Sequence, residues 1–524
     1  MTRAADLVFR NGVVWDHAGT PGRAPRALAV SGGRIVAVGA DAEALAAIAG
    51  EVVDLAGGAL LPSFGDGHVH PIFGGLGQRF ADVRNKSSVA ELVDSVARWA
   101  AEHPDEPWVR GDGYDPTLAP GGVFEAAWLD AVVPDRPAWL RASDFHTAWV
   151  NTVALEMAGI GTGTPDPDGG EIVRRPDGSP VGTLREWGAL HLVEAVAPRI
   201  PAGVLVDCLL QAARHLASLG FTWVQDAMVQ ADGVDAWLAA AASGGLAVRG
   251  NLALLASPET WRADLDRFVA QRDRVAREGR GVVSANSVKF FADGVIEAGT
   301  GALLEPYDDC PHSHGLPNWD WPELAEAVAA VDALGFQPHI HAIGDAGVRG
   351  ALDAFAVAEQ RNGPRDRRPV IAHAHVVDPA DRPRFAELGV VANFEPLWAR
   401  PEPLITELTE PRLGPTRSGY QYPIASLLRS GRVSFGTDWP VTSPDPRAGL
   451  AVAVTRRLLD GSPHDPWLPE ERITIQEAVA AYTRGVAYQA FEESAWGDLV
   501  PGARADLVHL GADPRGTDPL DLPK

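Results

Sequence analysis

Cysteine is almost absent: Cys208 and Cys310 are the only two in 524 residues. They stand far apart in sequence, so no disulfide framework is expected, which fits a reducing cytoplasm. Long apolar runs are missing too. No stretch approaches the roughly eighteen apolar residues of a membrane span, and the Ala-rich segments near Ala239 and Ala327 are broken by Gly or charge. The N-terminal MTRAADLVFRNG carries arginines but no apolar core or cleavage site, so it does not read as a signal peptide. Positive charge is in deficit. Against 69 Asp and Glu stand 45 Lys and Arg, a formal net charge of −24, which argues against nucleic acid or an anionic membrane as partner. A small-molecule substrate is the expected partner.

What is present is the composition of a soluble globular protein, 46% hydrophobic and 22% charged. The length suggests about three ordinary domains, or fewer if one is a large α/β barrel. Residues 1–60 read as short strands with turn signals, in DLVFRNGVVWD, ALAVSGGRIVAVG and EVVDLAGGALLP. Asn11-Gly12 and Gly32-Gly33 there suggest hairpins. GDLVPGARADLVHLG, near the C-terminus, offers another β pair. Residues 1–60 and 490–524 are therefore expected to build one small β-sandwich around an α/β middle, residues 61–489.

Within that middle, residues 76–205 break the strand–helix rhythm and read as an insertion that lids or walls a pocket. From 205 onward a β–α alternation is plain. Helices at 204–218, 234–243, 258–277, 321–334, 346–361, 379–388 and 423–430 each lead into an apolar run. With the run from Leu60 to His70 that makes eight strands, the pattern of a (β/α)8 TIM barrel, whose functional residues sit at strand C-terminal ends.

At the first such end, in LPSFGDGHVHPIFGG, His68 and His70 stand one residue apart. Positions i and i+2 of a strand share a face, so both imidazoles can reach one ion, and neutral imidazole suits zinc and similar metals. Four more polar residues sit at later strand ends: Lys289 in SVKFFADG, His341 in HIHAIGD, His373 in VIAHAHVV and Asp438 in FGTDWP. Each interrupts an apolar run, where a polar side chain is unfavourable without a partner or a task. Taken singly, any one of the histidines is a satisfied buried side chain; six residues converging on one rim are harder to explain so. A lysine ammonium has no lone pair for a metal. Carbamylation by carbon dioxide would make Lys289 a carboxylate able to bridge two ions; pairing with Asp293 or another acid is the alternative. Asp438 suits both metal contact and general base, because a metal-activated water needs a proton acceptor.

Over nearly its whole length the chain resembles the amidohydrolase superfamily, and within it the amidohydrolase-3 branch. The carriers are PSFGDGHVH, VKFFADGVIE, HAIGDAGV, AHAHVVDPAD and GTDWPV, with WVRGDGYDP and HTAWVNTVAL in the insertion. The resemblance implies His68 and His70 as ligands of a more buried metal and Lys289 as a carbamylated bridge. It implies His341 and His373 as ligands of a second metal and Asp438 as catalytic acid/base. One or two divalent ions, with zinc expected, would activate hydroxide against a C–N bond. Cytoplasmic residence and a homodimer would fit the relatives. Two departures stand out. Ala372 and His375 occupy positions where the family usually has Glu and Gln around the sixth-strand His, so His375 is a substrate contact, an extra ligand or a supporting side chain. Asp144-Phe145-His146 replaces the usual Asp-Gly-His and leaves His146 as a pocket residue.

Trp398 and Trp439 follow strand ends and either shape an apolar substrate pocket or pack. His339 shares a face with His341, yet the family motif points to His341. Cys310, His312 and His314 read as a solvated loop over the barrel mouth. Ester, carbamate or cyclic imide hydrolysis, deamination, and a catalytically silent binding role are the competing functions.

Overall fold

The computed structural model describes residues 5–16 and 24–524; residues 1–4 of the N-terminal stretch read above lie outside it. At its centre are eight parallel strands hydrogen-bonded in sequential order. They are β1 (Phe64–Val69), β2 (Phe221–Val229), β3 (Arg249–Leu255), β4 (Val283–Phe291), β5 (Gln337–Ala342), β6 (Val370–His373), β7 (Val391–Phe394) and β8 (Arg432–Phe435). β1, β5, β6 and β7 are buried at every residue, as strands covered on both faces must be. The expected barrel is what the chain forms.

Its helices follow local chemistry. Helix Trp321–Ala333 starts where the Asp320 side chain accepts from the Glu323 amide, has Pro in its first turn, and buries Leu324, Ala327, Val328 and Val331 at helical spacing. The barrel closes beyond the last strand. The Asp438 amide donates to the His68 carbonyl at 2.8 Å and the His70 amide to the Trp439 carbonyl at 2.9 Å. Asp66, buried between two glycines of β1, accepts from the Thr437 amide at 3.0 Å and its hydroxyl at 2.6 Å. Across the barrel floor runs a polar belt: Gln225, Asn251, Ser287 and Gln337 are linked side chain to side chain, and Asn393, Ser434 and Gln489 likewise.

The two ends of the chain form small sheets. One has the order Arg34–Val38, Leu28–Ser31, Leu7–Arg10, Glu51–Asp54; the other joins Val13–Val14, Ala59–Pro62 and Leu507–Leu510. Gly32-Gly33 does turn a hairpin. Asn11-Gly12 does not: the chain crosses there from one sheet to the other, and a Cβ on Gly12 would lie 2.5 Å from the Gly58 carbonyl, so the tight approach rather than a hairpin requires the glycine. The C-terminal segment supplies one strand, Leu507–Leu510, not a pair.

The insertion carries a five-stranded sheet, ordered Glu171–Arg174, Pro180–Arg185, Thr147–Val150, Ala138–Ala142, Val109–Tyr114, around its own core of Tyr114, Phe124, Leu140 and Trp149. Among the described residues no helix is long and apolar enough to cross a membrane.

Candidate metal centre

His68 lies in β1 and His70 just beyond it, where helix Pro71–Gly77 begins. Lys289 stands near the end of β4, His341 in β5, His373 at the last residue of β6, and Asp438 three residues past β8. The backbone is left-handed at His373 (φ 73°), Ala374 (φ 42°) and Asp438 (φ 50°). Such conformations are unfavourable for residues other than glycine and cluster at functional sites.

These ends bring three ligand atoms, one each from His68, His373 and Asp438, within 4.8 Å of one another, the one such group among the described residues. The other three candidates stand around it. His70 Nε2 is 3.1 Å from Asp438 Oδ1, and Lys289 Nζ is 3.5 Å from His68 Nε2. The His341 ring lies 4.7 Å from that of His373, with its Nε2 turned to the Gly294 carbonyl at 3.1 Å. Asp293 does not pair with Lys289: its carboxylate accepts the amides of Ala302, Ile343 and Gly344.

A divalent cation fits this arrangement. Two imidazoles and a carboxylate are a donor set for zinc or a similar ion. Asp438 Oδ1 is buried without a well-aligned hydrogen bond, 3.1 Å from His70 Nε2 and 3.8 Å from His68 Nε2, as an oxygen sharing a cation with imidazoles would be. Both imidazoles are fixed from behind. His68 Nδ1 lies 2.8 Å from His339 Nε2, and His373 Nδ1 donates to Glu395 Oε2 at 2.8 Å, which leaves each Nε2 to face the centre. Burial, then the positive charges of Lys289 and its neighbours, holds His68 well below the usual imidazole range. Burial likewise pushes His373 down to about 3 against the pull of Asp438. Neutral imidazole is the ligating form. Burial lowers Lys289 from 10.5 to about 7, although Asp438 and Glu395 oppose the shift.

A cavity of about 650 Å³ opens over the centre, and the other candidates line it. His146 Nδ1 donates to the buried Glu186 carboxylate at 2.7 Å. Burial lowers its pKa, but the Glu186 charge and hydrogen bond outweigh this and raise it to about 9. Trp398 stacks on His373 at 5.3 Å between ring centres, 6° from parallel. His375 stacks on Tyr422 and donates to Gln421 at 2.8 Å, and burial pushes it down to about 4. Trp439 lines the cavity and packs on Gly74. Cys310 Sγ lies 3.5 Å from His312 Nε2, while His314 turns to the Leu303 carbonyl.

Sequence reasoning missed Glu395 and Glu186 and set His339 aside. Glu395 is 1% exposed, and burial, then the Asp438 charge, raises it well above the usual carboxylate range. An acid ending the apolar run VVANF was the available signal for it. Glu186 heads a helix from a left-handed position (φ 62°) and also accepts from Thr300. His339 was visible through its spacing from His341.

A closed parallel barrel with an imidazole–carboxylate cluster at its C-terminal mouth defines a metal-dependent hydrolase. The chain belongs to the amidohydrolase family, whose model matches residues 51–524. It is 31% identical over 523 residues to the protein LONG AFTER FAR-RED 3 of Arabidopsis thaliana, covering 97% of this chain and 88% of that one. It is 28% identical over 532 residues to N-substituted formamide deformylase of Arthrobacter pascens, covering 98% and 95%. Among solved structures, an uncharacterized metal-dependent hydrolase from Pyrococcus furiosus is similar with a TM-score of 0.72 and 26% identity, over 97% of this chain and 99% of that one.

Proposed function

We propose that this protein hydrolyses an amide-type C–N bond of a small molecule, with Asp438 as general acid and base. The observation that carries the reading is the convergence of the ligand atoms of His68, His373 and Asp438 at the base of the cavity. When bound, a divalent cation supplies Lewis acidity toward the carbonyl and acidifies water. His68 and His373 would hold it through Nε2, with His70 and His341 at its margins. Asp438 takes the proton from the attacking water and delivers it to the leaving nitrogen, so that amine rather than amide anion departs. The tetrahedral carbon then collapses to carboxylic acid. Trp398, Trp439, His146 and His375 confine the substrate and exclude bulk water. The formamide deformylase relative supports an amide over an ester.

Lys289 is read as the site of a carbamate. Its amine, partly unprotonated near neutral pH, adds to carbon dioxide with loss of one proton, which replaces a donor by two acceptor oxygens beside His68. Intact-mass analysis under bicarbonate is expected to show one added carbon dioxide, lost in Lys289→Ala; a mass unchanged by bicarbonate sinks this part alone.

The main test is metal analysis of the purified protein followed by turnover of an amide panel. Bound divalent metal is expected. Asp438→Asn should keep it while lowering kcat by about 10²–10⁴-fold, the usual worth of a general acid–base. No metal and no turnover would remove the proposal.

A further inference from the structure

A second cavity, about 680 Å³, lies against the first. Its inner wall is helix Pro71–Gly77 and the end of β2; its outer wall is the insertion, through Arg110, Trp139 and Arg141. Four side chains line both cavities: His70, Phe73, Trp187 and Met228. Of the six residues around the metal centre, His70 alone faces both. The centre therefore stands at a junction, with Phe73 and Trp187 as a partition and space on either side of it.

The second space is lined by aromatic and aliphatic side chains interleaved with charged ones. Phe80 and Trp139 flank the Arg110 guanidinium, each ring centre 5.9 Å from it. Arg141 lies over Phe73 at 5.3 Å. Much of the polar lining is already committed. Arg141 donates to both oxygens of Asp112 at 2.7 and 2.9 Å, Arg110 to the Pro198 carbonyl at 2.8 Å, and Asp226 accepts from the Trp237 indole at 2.7 Å. The indole Nε1 atoms of Trp139 and Trp187 and the Nδ1 of His70 are buried without a hydrogen-bond partner.

We propose that the substrate straddles the metal centre, one substituent of its scissile bond in the Asp438 cavity and the other in this second one. The inference rests on the amide-hydrolase reading and narrows it. The favoured class is an amide with a bulky group on both sides of the C–N bond. A formamide, with only hydrogen on its acyl carbon, would leave one cavity empty. Contacts made at a distance from the reacting bond raise kcat/KM when they hold that bond in place.

The test compares kcat/KM for N-benzyl phenylacetamide, which fills both spaces, with N-benzylformamide and phenylacetamide, which fill one. The two-armed amide should exceed each by about tenfold or more. Ala197→Trp, which narrows only the second cavity, should cut the two-armed to one-armed ratio by about tenfold. Equal losses for all substrates would make the second cavity a product exit and overturn the proposal, as would an unchanged ratio. If no amide is turned over, the hydrolase reading has failed. Calorimetric binding of the two-armed amide to the Asp438→Asn holoenzyme then decides occupancy by itself, since affinity undiminished by Ala197→Trp also overturns the second site.

Discussion

His373 reaches the centre with Nδ1 already bonded to Glu395, so its hydrogen is fixed on that side and Nε2 is left with a lone pair. His68 is held differently. To ligate through Nε2 it must donate from Nδ1 to His339 Nε2, which leaves the remaining hydrogen on His339 Nδ1, a buried atom with no hydrogen-bond partner. The Glu395 clamp leaves an orphan of its own, the buried Oε1, but its Oε2 accepts directly from Nδ1. Glu395→Ala is therefore expected to weaken metal affinity by about 10–100-fold, while Glu395→Gln, whose amide oxygen still accepts from Nδ1, should lose less. Competition with a chelator measures both; equal affinity in the alanine variant would show that His373 needs no such support. The six candidates drew notice because each stands at or just past the C-terminal end of an apolar strand. Glu395 does so too, but its role depends on an imidazole 22 positions earlier, on the neighbouring strand, and no periodicity reveals that pairing. Glu186 was hidden for a similar reason, with its partner His146 40 residues away.

At the level of strands and helices, the barrel was legible almost to the residue. Helix Asp345–Asn362 and strand Gln337–Ala342 match the expected 346–361 and FQPHIHAIGD because apolar spacing and turn residues both mark their limits. The path of the chain between sheets was not legible. Asn11-Gly12 carries a hairpin signature, yet its flanking strands find partners in different sheets, and pairing with distant segments overrides local turn preference. The seam between β8 and β1 was equally silent in sequence, although the site depends on it. Gly436 sits on that seam, where a Cβ would come 2.8 Å from the His68 amide nitrogen and 2.9 Å from its Cβ. These contacts are backbone and a buried ligand, neither of which can swing aside. Gly436→Ala should destabilise the fold by about 1–3 kcal/mol through overpacking and weaken metal binding together with it. Denaturant melts and metal titration of the same variant test this. Full stability with lowered affinity, or the reverse, would mean that the seam and the centre are not mechanically linked.

On the scale of the whole molecule, the C-terminus reaches back to the strand that launches the site. Leu507–Leu510 runs antiparallel to Ala59–Pro62, which leads through Ser63 directly into β1 and His68. The Ser63 amide donates to the Asp506 carbonyl at 2.9 Å, and Asp506 forms an ion pair with Arg249 of β3. Beneath β1, buried Trp496 packs so closely that a Cβ on Gly65 would lie 2.5 Å from its ring. The terminal sheet and the barrel are thus joined through the single residue Ser63 and share one packed floor, and they are expected to unfold together. Removing residues 507–524 strips the partner from Ala59–Pro62, exposes Leu60 and Leu61, and leaves an open strand edge. The expected outcome is a fall in Tm of at least about 5 °C, with circular dichroism and tryptophan fluorescence still moving in one transition. Loss of metal should accompany that transition rather than precede it. Two separated transitions, the later one at the full-length Tm, would show instead that the barrel stands without its terminal sheet and that His68 is positioned by the barrel alone.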